Sequence, residues 1–285
     1  MISTRVLRKR IQSVENTAKI CKAMEMIATA KMKRAQDQAM AGRPYAEKIG
    51  QVIANLSAQA KYSGDIHPLL KRREVRKIAI VHFTTDRGLC GGLNANLNRL
   101  VAEFIVRQDV PVILITVGRK GRNFMFRAGQ TIHAEFIGVK DKPSLVDIMP
   151  ISRIVIDAYK MGEIDMIYLA YPRFVTTMAQ RPVMEALLPV DPVDGNAVQT
   201  GDYIYEPDYS TVMNELLPRF VEMKTYHAVL ELIASEHSAR MVAMRSASDS
   251  AKDVLEDLTL TLNKARQETI TNEICDICGG AEALK

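Results

Sequence analysis

From Leu216 to Ala265, apolar and small residues return at alternating steps of four and three, from Leu216, Phe220, Met223 at one end to Leu258, Leu262, Ala265 at the other. The alternation never slips, which is the pattern of a heptad seam on a helix. The helical stretch around it runs from about Tyr209 to Cys278, with Pro218 inside its first turns. About 70 residues of helix measure ~105 Å at 1.5 Å per residue. A globule of 285 residues is not that wide. Such a helix is expected to project, and its apolar stripe needs a partner along its length.

The start of the chain offers that partner. Leu7, Ile11, Val14, Ala18, Cys21, Ala28, Met32, Ala35 and Ala39 keep the same alternation, with Glu25 in the one gap. Gly42 and Pro44 follow and are expected to kink or split this helix. Both seams are rich in small residues, which lets two backbones approach closely, and a period of 3.5 predicts a left-handed supercoil. Antiparallel pairing suits a chain whose middle must connect the two helices. The C-terminal helix then outruns its partner, leaving an end without cover near Ala265 to Cys278. Ile20, Met24 and Ile27 lie off the seam and have no partner in the chain.

Between the helices the period changes. "KIAIVHF" and "PVILITVG" are short β-rich runs of the kind buried in parallel sheets. "NANLNRLVAEFIVRQ" reads as a helix with Asn94 as N-cap. "TIHAEFIGV", a helix around "SLVDIMPISRIVIDAYK", a strand "DMIYLAY" and "VMEALLPV" follow. Strand–helix alternation argues an α/β layered, Rossmann-like domain. The expected division is 1–59, an N-terminal coiled-coil helix; 75–205, the central α/β domain; and 209–285, the C-terminal coiled-coil helix.

Candidate chemistry is sparse. "TTDRGLCGGLNANL" is a glycine-rich turn between strand and helix, where phosphates often bind. Gly88, Gly91 and Gly92 do not spell GxGxxG, and no GK[ST] follows. Turn geometry and tight packing explain the glycines, with a phosphate cradle or a protein contact as the other readings, and Asp86 with Arg87 as a local pair or cap. His227 and His237 lie on the seam, where polar residues fix register more often than they bind metal. Cys275 and Cys278 have CxxC spacing, but no second CxxC or histidine pair stands near. They read as free thiols on a helix face, or as a redox pair or part of a metal site. No catalytic arrangement, cofactor site or metal site can be assigned from spacing.

Net charge is +5, which permits acidic partners without requiring nucleic acid. No apolar run approaches the ~18 residues of a membrane span. "MISTRVLRKRI" lacks the apolar core of a secretory signal, so the chain is expected to face the cytosol. "NKARQETITNE", Asn263 to Glu273, is polar where the upstream seam is not. It reads either as a solvated helix end or as a docking surface.

Five ordered stretches resemble the gamma subunit of F-type ATP synthases: "SVENTAKICKAMEMIATAKMKRAQ", "TDRGLCGGLN", "YIYEPD", "ASEHSARMVAMRSASDSA" and "LTLTLNKARQETITNEI". The resemblance runs end to end. It implies a non-catalytic rotor shaft whose antiparallel coiled coil turns inside a ring of three alpha and three beta subunits, coupling proton-driven rotation of the membrane c-ring to ATP synthesis or hydrolysis on beta. Nucleotide and magnesium then belong to alpha and beta. The resemblance places Met24, Arg240 and Arg245 in a belt facing acidic loops of beta, and Arg266, Gln267 and Thr271 in a polar catch for a beta loop. It places Tyr205 and Glu206 at a foot against the c-ring, with the epsilon subunit beside it. Cys21, Cys275 and Cys278 depart from the Thr or Val expected there. With no cysteine-bearing insertion and no transit extension, a bacterial enzyme is expected, held peripherally on the cytoplasmic face of the cell membrane without inserting into lipid. The rival readings are a coiled-coil scaffold or adaptor, and a small α/β enzyme using the glycine turn as a phosphate cradle.

Overall fold

The computed structural model describes residues 4–63, 67–190, 206 and 208–282. In chain order the elements are α1 (Thr4–Ser63), β1 (Ile78–Phe83), α2 (Leu93–Val106), β2 (Val112–Val117), α3 (Arg119–Arg127), β3 (Ile132–Phe136), α4 (Leu145–Lys160), β4 (Met166–Thr176), β5 (Ala179–Leu188) and α5 (Tyr209–Glu282). A 3-10 turn, Pro68–Leu70, precedes β1. The chain falls into two compact units. One comprises residues up to Ala28 and from Arg240 onward; the other runs from Thr29 to Ala239.

The larger unit is built on one sheet with strand order β3-β2-β1-β4-β5. β1 pairs in parallel with β2 and β4, and β2 with β3, while β5 runs antiparallel to β4. All six residues of β1 are buried. That is why "IAIVHF" is apolar almost throughout, as a central parallel strand covered on both faces must be. Ile78 and Ile80 turn to α2 and α3, meeting Leu97, Val101 and Met125. Ala79, Val81 and Phe83 turn to the other layer, with Ile151, Val155 and Tyr159 of α4 and with stretches of both long helices, Ile53, Val221 and Ile233 among them. From Ala228 to Ser235 every residue of α5 is buried, so here the helix has neighbours all round rather than along one seam. Antiparallel pairing of α1 with α5 shows in the contacts. Gln38 donates to the Tyr226 hydroxyl at 2.7 Å, while Lys31, earlier in α1, shares Asp141 with His237, later in α5.

Local chemistry explains several boundaries. α4 starts where Ser144 and Asp147 form a capping box: the Asp147 carboxylate accepts from the Ser144 N–H at 2.8 Å, and the Ser144 hydroxyl accepts from the Asp147 N–H. α1 runs unbroken through Gly42 and Pro44, so the expected split does not occur. Asn94 is not an N-cap. α2 begins after Gly92, and the Asn94 side chain reaches back to the loop after β1. α3 and the 3-10 turn are absent from the sequence reading. β4 extends to Thr176, beyond the Tyr171 at which "DMIYLAY" ends.

In the smaller unit the seam is the buried line. Leu7, Cys21 and Ala28 of α1 are buried, and Ile11, Val14 and Ala18 half-buried. Met244 and Ser248 of α5 are buried, and Ala251, Leu255, Leu258, Leu262 and Ala265 half-buried, each between exposed neighbours. Leu7, near the start of α1, is covered to 1% exposure, and Ala265 is the last covered seam position of α5. Lys22 lies close enough to Asp249 to act on its charge. The two helices therefore pair antiparallel here as well. Residues 266–281 are exposed without exception.

Candidate functional site

The exposed end of α5 holds three of the singled-out residues. Arg266, Gln267 and Thr271 are all exposed. The Thr271 hydroxyl donates to the Gln267 carbonyl at 2.9 Å, a bond within the helix that leaves its oxygen able to accept. Ile270, Ile274 and Ile277 lie on the same stretch, exposed at 45%, 55% and 71%. Directional polar groups and apolar side chains thus alternate on a helix surface with no cover among the described residues.

Nearer the middle of the coiled coil, Ile20, Met26 and Ile27 are exposed, while Met24 is half-buried. Arg245 is exposed and its charge reaches Asp249. Arg240 differs, being only 8% exposed. Sequence pattern alone does not distinguish these two arginines, because the difference is made by what packs around Arg240. Glu206 is exposed, and Tyr205 lies outside the described residues.

The glycine turn follows β1 at the carboxyl end of the sheet, where open α/β folds place ligands. Here the polar groups are already engaged. Asp86 does not pair with Arg87: its carboxylate accepts from the N–H groups of Arg119 at 3.0 Å and Gly138 at 2.8 Å, joining the loops after β1, β2 and β3. Asn94 accepts from the Thr85 N–H and donates to the Thr85 hydroxyl and to Cys90 Sγ. Of the three motif glycines only Gly91 needs its positive φ, at 56°. The glycines demanded by close packing lie outside the motif. A Cβ on Gly118 would sit 2.0 Å from the Thr84 carbonyl oxygen, and one on Gly121 2.6 Å from Thr84 Cγ2 and 2.7 Å from His82 Cε1. His82 is wholly buried, and burial pushes its imidazole down to about 3.

Asp141, in the loop after β3, faces both long helices. Lys31 of α1 donates to it at 2.6 Å, and His237 Nε2 of α5 lies 3.6 Å away. Burial works to raise the Asp141 carboxyl, but the Lys31 hydrogen bond and the charges of Lys31, His237 and Arg87 outweigh it and hold the group below its usual range. On the other side, the β4–β5 hairpin is fastened to α5. The Glu231 carboxylate accepts from the Phe174 N–H at 2.7 Å, and Ser235 and Ser238 donate to the carbonyls of Pro172 and Thr177. A cleft of about 490 Å³ opens beside this hairpin, between Tyr171, Arg173, Glu185, Phe220, Lys224 and Glu231. Glu185 is held by Arg173 and by the Tyr171 hydroxyl, and Glu231 by the Phe174 N–H, so its acids serve structure. No group of three or more His, Cys, Asp or Glu able to hold a metal ion occurs among the described residues. The four cysteines are free, Cys21 and Cys90 buried, Cys275 and Cys278 exposed. No helix among the described residues is long and apolar enough to cross a membrane.

Similar proteins fit this geometry. A family model described as ATP synthase matches residues 3–284. The chain is 57% identical to the ATP synthase gamma chain of Dehalococcoides mccartyi over the whole of both chains. It is 47% identical to that of Herpetosiphon aurantiacus, over 100% of this chain and 99% of the other. A chain of Euglena gracilis mitochondrial ATP synthase, from a cryo-EM structure of OSCP, F1 and c-ring, has a like fold: TM-score 0.68 at 19% identity, covering 99% of this chain and 94% of that one. Paired terminal helices, a five-stranded sheet between them and identity sustained along the full length lead to one conclusion: the chain belongs to the family of ATP synthase gamma chains.

Proposed function

We propose that this chain is the central rotor shaft of an F-type ATP synthase, coupling proton-driven rotation of a c-ring to ATP synthesis or hydrolysis on the beta subunits. One observation carries the reading: in a chain so close to an ATP synthase gamma chain, α5 outruns its cover at Ala265 and leaves residues 266–281 exposed. A shaft in a ring has this form, with a packed seam inside and an uncovered end for the ring. The partners are a ring of three alpha and three beta subunits, the epsilon subunit and the c-ring. The like-folded Euglena chain comes from an assembly of F1 and c-ring. The chain itself carries no active site; nucleotide and magnesium stay on alpha and beta. It sits peripherally on the cytoplasmic face of a bacterial membrane.

Torque needs a stiff, asymmetric shaft whose contacts can change as it turns. The coiled coil supplies stiffness. Exposed cations such as Arg245 supply long-range attraction to acidic loops without deep interlocking. Met24 lies on that belt, and Arg240, being buried, acts on it from within. Arg266, Gln267 and Thr271 add directional hydrogen bonds at one preferred angle, Arg266 through a bidentate fork. Tyr205 and Glu206 serve the foot against c-ring and epsilon.

The test is co-purification with alpha and beta subunits, followed by ATP hydrolysis with and without this chain. The chain is expected to enter the complex. Arg266→Ala is expected to lower turnover of the complex while leaving the helix content of the chain unchanged. Failure to assemble sinks the reading, and unchanged hydrolysis and proton-coupled synthesis in the variant sinks the role of Arg266.

A further inference from the structure

We infer that Cys275 and Cys278 form a reversible dithiol–disulfide site at the end of α5, oxidised by low-molecular-weight disulfides. The inference goes beyond the shaft reading and does not depend on it. Among the four cysteines only these two are exposed. Cys21 is buried in the α1 seam, and Cys90 is buried against Asn94 and Thr85. Three residues apart on a helix, two side chains share a face with Cβ atoms about 5–6 Å apart. A disulfide needs about 3.5–4.5 Å between Cβ atoms. The last turn must therefore yield for the bond to close.

That turn is built to yield. Gly279 and Gly280 follow the pair directly within α5. A Cβ on either glycine would meet nothing within 4 Å, so no neighbour among the described residues requires glycine there. Their effect is on the helix, which each glycine weakens relative to alanine. Residues 266–281 are exposed, so no packing within the described chain resists the change.

The chemistry balances as two exchanges. The thiolate of one cysteine attacks the small disulfide, forming a mixed disulfide and expelling one small thiolate. The second cysteine's thiolate attacks the mixed disulfide, closing the Cys275–Cys278 bond and expelling the other. The two electrons end on the small molecule, which leaves as two thiols carrying the two cysteine protons. Glu273 and Asp276 flank the pair, so an anionic adduct such as one with glutathione meets like charge and closure of the internal bond is favoured.

The full-length chain, equilibrated in glutathione buffers of rising oxidised fraction with a chelator present, tests this by intact mass and alkylation mapping. The expected product has lost two hydrogens per chain. Cys275 and Cys278 lose alkylation together at one midpoint, while Cys21 and Cys90 keep theirs. Cys275→Ser and Cys278→Ser are each expected to stop at a glutathione adduct. Gly279→Ala with Gly280→Ala is expected to lower the disulfide-to-dithiol ratio at fixed buffer about tenfold or more, by stiffening the turn that must open. Independent glutathione adducts on both thiols, alkylation persisting in the most oxidised buffer, pairing with Cys21 or Cys90, or a ratio untouched by the alanines would each overturn the inference.

Discussion

At the residue scale two positions in the larger unit make opposite demands. Gly118 has φ +93°, and its missing Cβ is the space filled by the Thr84 carbonyl oxygen at 2.0 Å. Gly129 also has positive φ, +72°, but a Cβ there meets nothing within 4 Å. Gly129→Ala is therefore expected to cost only about 1–2 kcal/mol for its backbone conformation, and Gly118→Ala about 3 kcal/mol or more because backbone must move as well. Urea unfolding of both variants checks the order; equal costs would show that the clash at Gly118 is relieved elsewhere. His82 concerns pH. Its folded pKa, about 3, lies below the ordinary 6.5, so below pH 6.5 the unfolded chain binds a proton that the folded chain excludes. Its contribution to stability is whole above pH 6.5 and is lost as pH falls toward 3, with a limiting slope of about 1.4 kcal/mol per pH unit. His82→Leu is expected to lose that slope, so that the difference between the two stability curves, measured by denaturant titration from pH 7 to 4, changes by up to about 1.4 kcal/mol per pH unit. Parallel curves would contradict it. The exposure of the candidate contact residues was legible wherever it follows from the pattern, as for Arg266, Gln267 and Thr271, which lie beyond the last covered seam position. Arg240 was not, because tertiary neighbours decide its burial. Asp141 was not, because its bond to Lys31 joins positions 110 residues apart.

At the element scale the long helices were legible because a seam of small residues has one arrangement that buries it. Ala28, 2% exposed, leaves room for close backbones and little else. Ala28→Leu adds three carbons to that seam and is expected to destabilise by about 1–3 kcal/mol through overpacking. A lowered thermal midpoint by helix circular dichroism checks it; a raised midpoint would mean that the seam holds a void. At α4, Ser144→Ala removes the hydroxyl that caps the Asp147 N–H and is expected to cost about 1 kcal/mol. Faster hydrogen exchange confined to the first turn of α4 would locate the loss, and exchange unchanged there would deny the cap its role. The elements that escaped reading are those whose cause is nonlocal. "RKGRNFMFR" carries a glycine inside a helix and few apolar residues, yet forms α3 because Gly121 lets it sit against Thr84 and His82. Asn94 has the chemistry of a cap, but its side chain is drawn to Thr85, nine positions back. β4 outlasts its apolar run because β5 pairs with it as far as Thr176 and α5 binds the Phe174 N–H.

At the scale of the whole molecule, a shaft must pass torque between the α/β domain and the stretches of the long helices packed on it. Apolar packing resists separation, but it resists sliding and twisting less than directional bonds do. Among the described residues, directional bonds join the long helices to the α/β domain at several places, among them Gln38 and Tyr226, which both donate to the Pro143 carbonyl in the loop after β3. Glu231, Ser235 and Ser238 fasten α5 to the β4–β5 hairpin, and Asp141 fastens Lys31 of α1 beside His237 of α5. Asp141 is the informative one to remove. Its pair with Lys31 is part-exposed, 35% on the lysine and 58% on the aspartate. Solvent screening limits the stability of such a pair to about 1 kcal/mol or less, so Asp141→Ala is expected to fold and assemble. Under the shaft reading its loss falls on transmission. In membrane vesicles carrying the assembled enzyme, ATP hydrolysis is expected to stay within about twofold, since that pair contributes little to stability. ATP-driven proton pumping per ATP hydrolysed is expected to fall. Lys31→Ala should act alike, and the swapped pair Lys31→Asp with Asp141→Lys should recover part of the ratio by restoring attraction between the same two positions. A ratio that ignores Asp141→Ala would mean that the bond between Asp141 and Lys31 has no mechanical part, and that packing and the remaining bonds carry the torque.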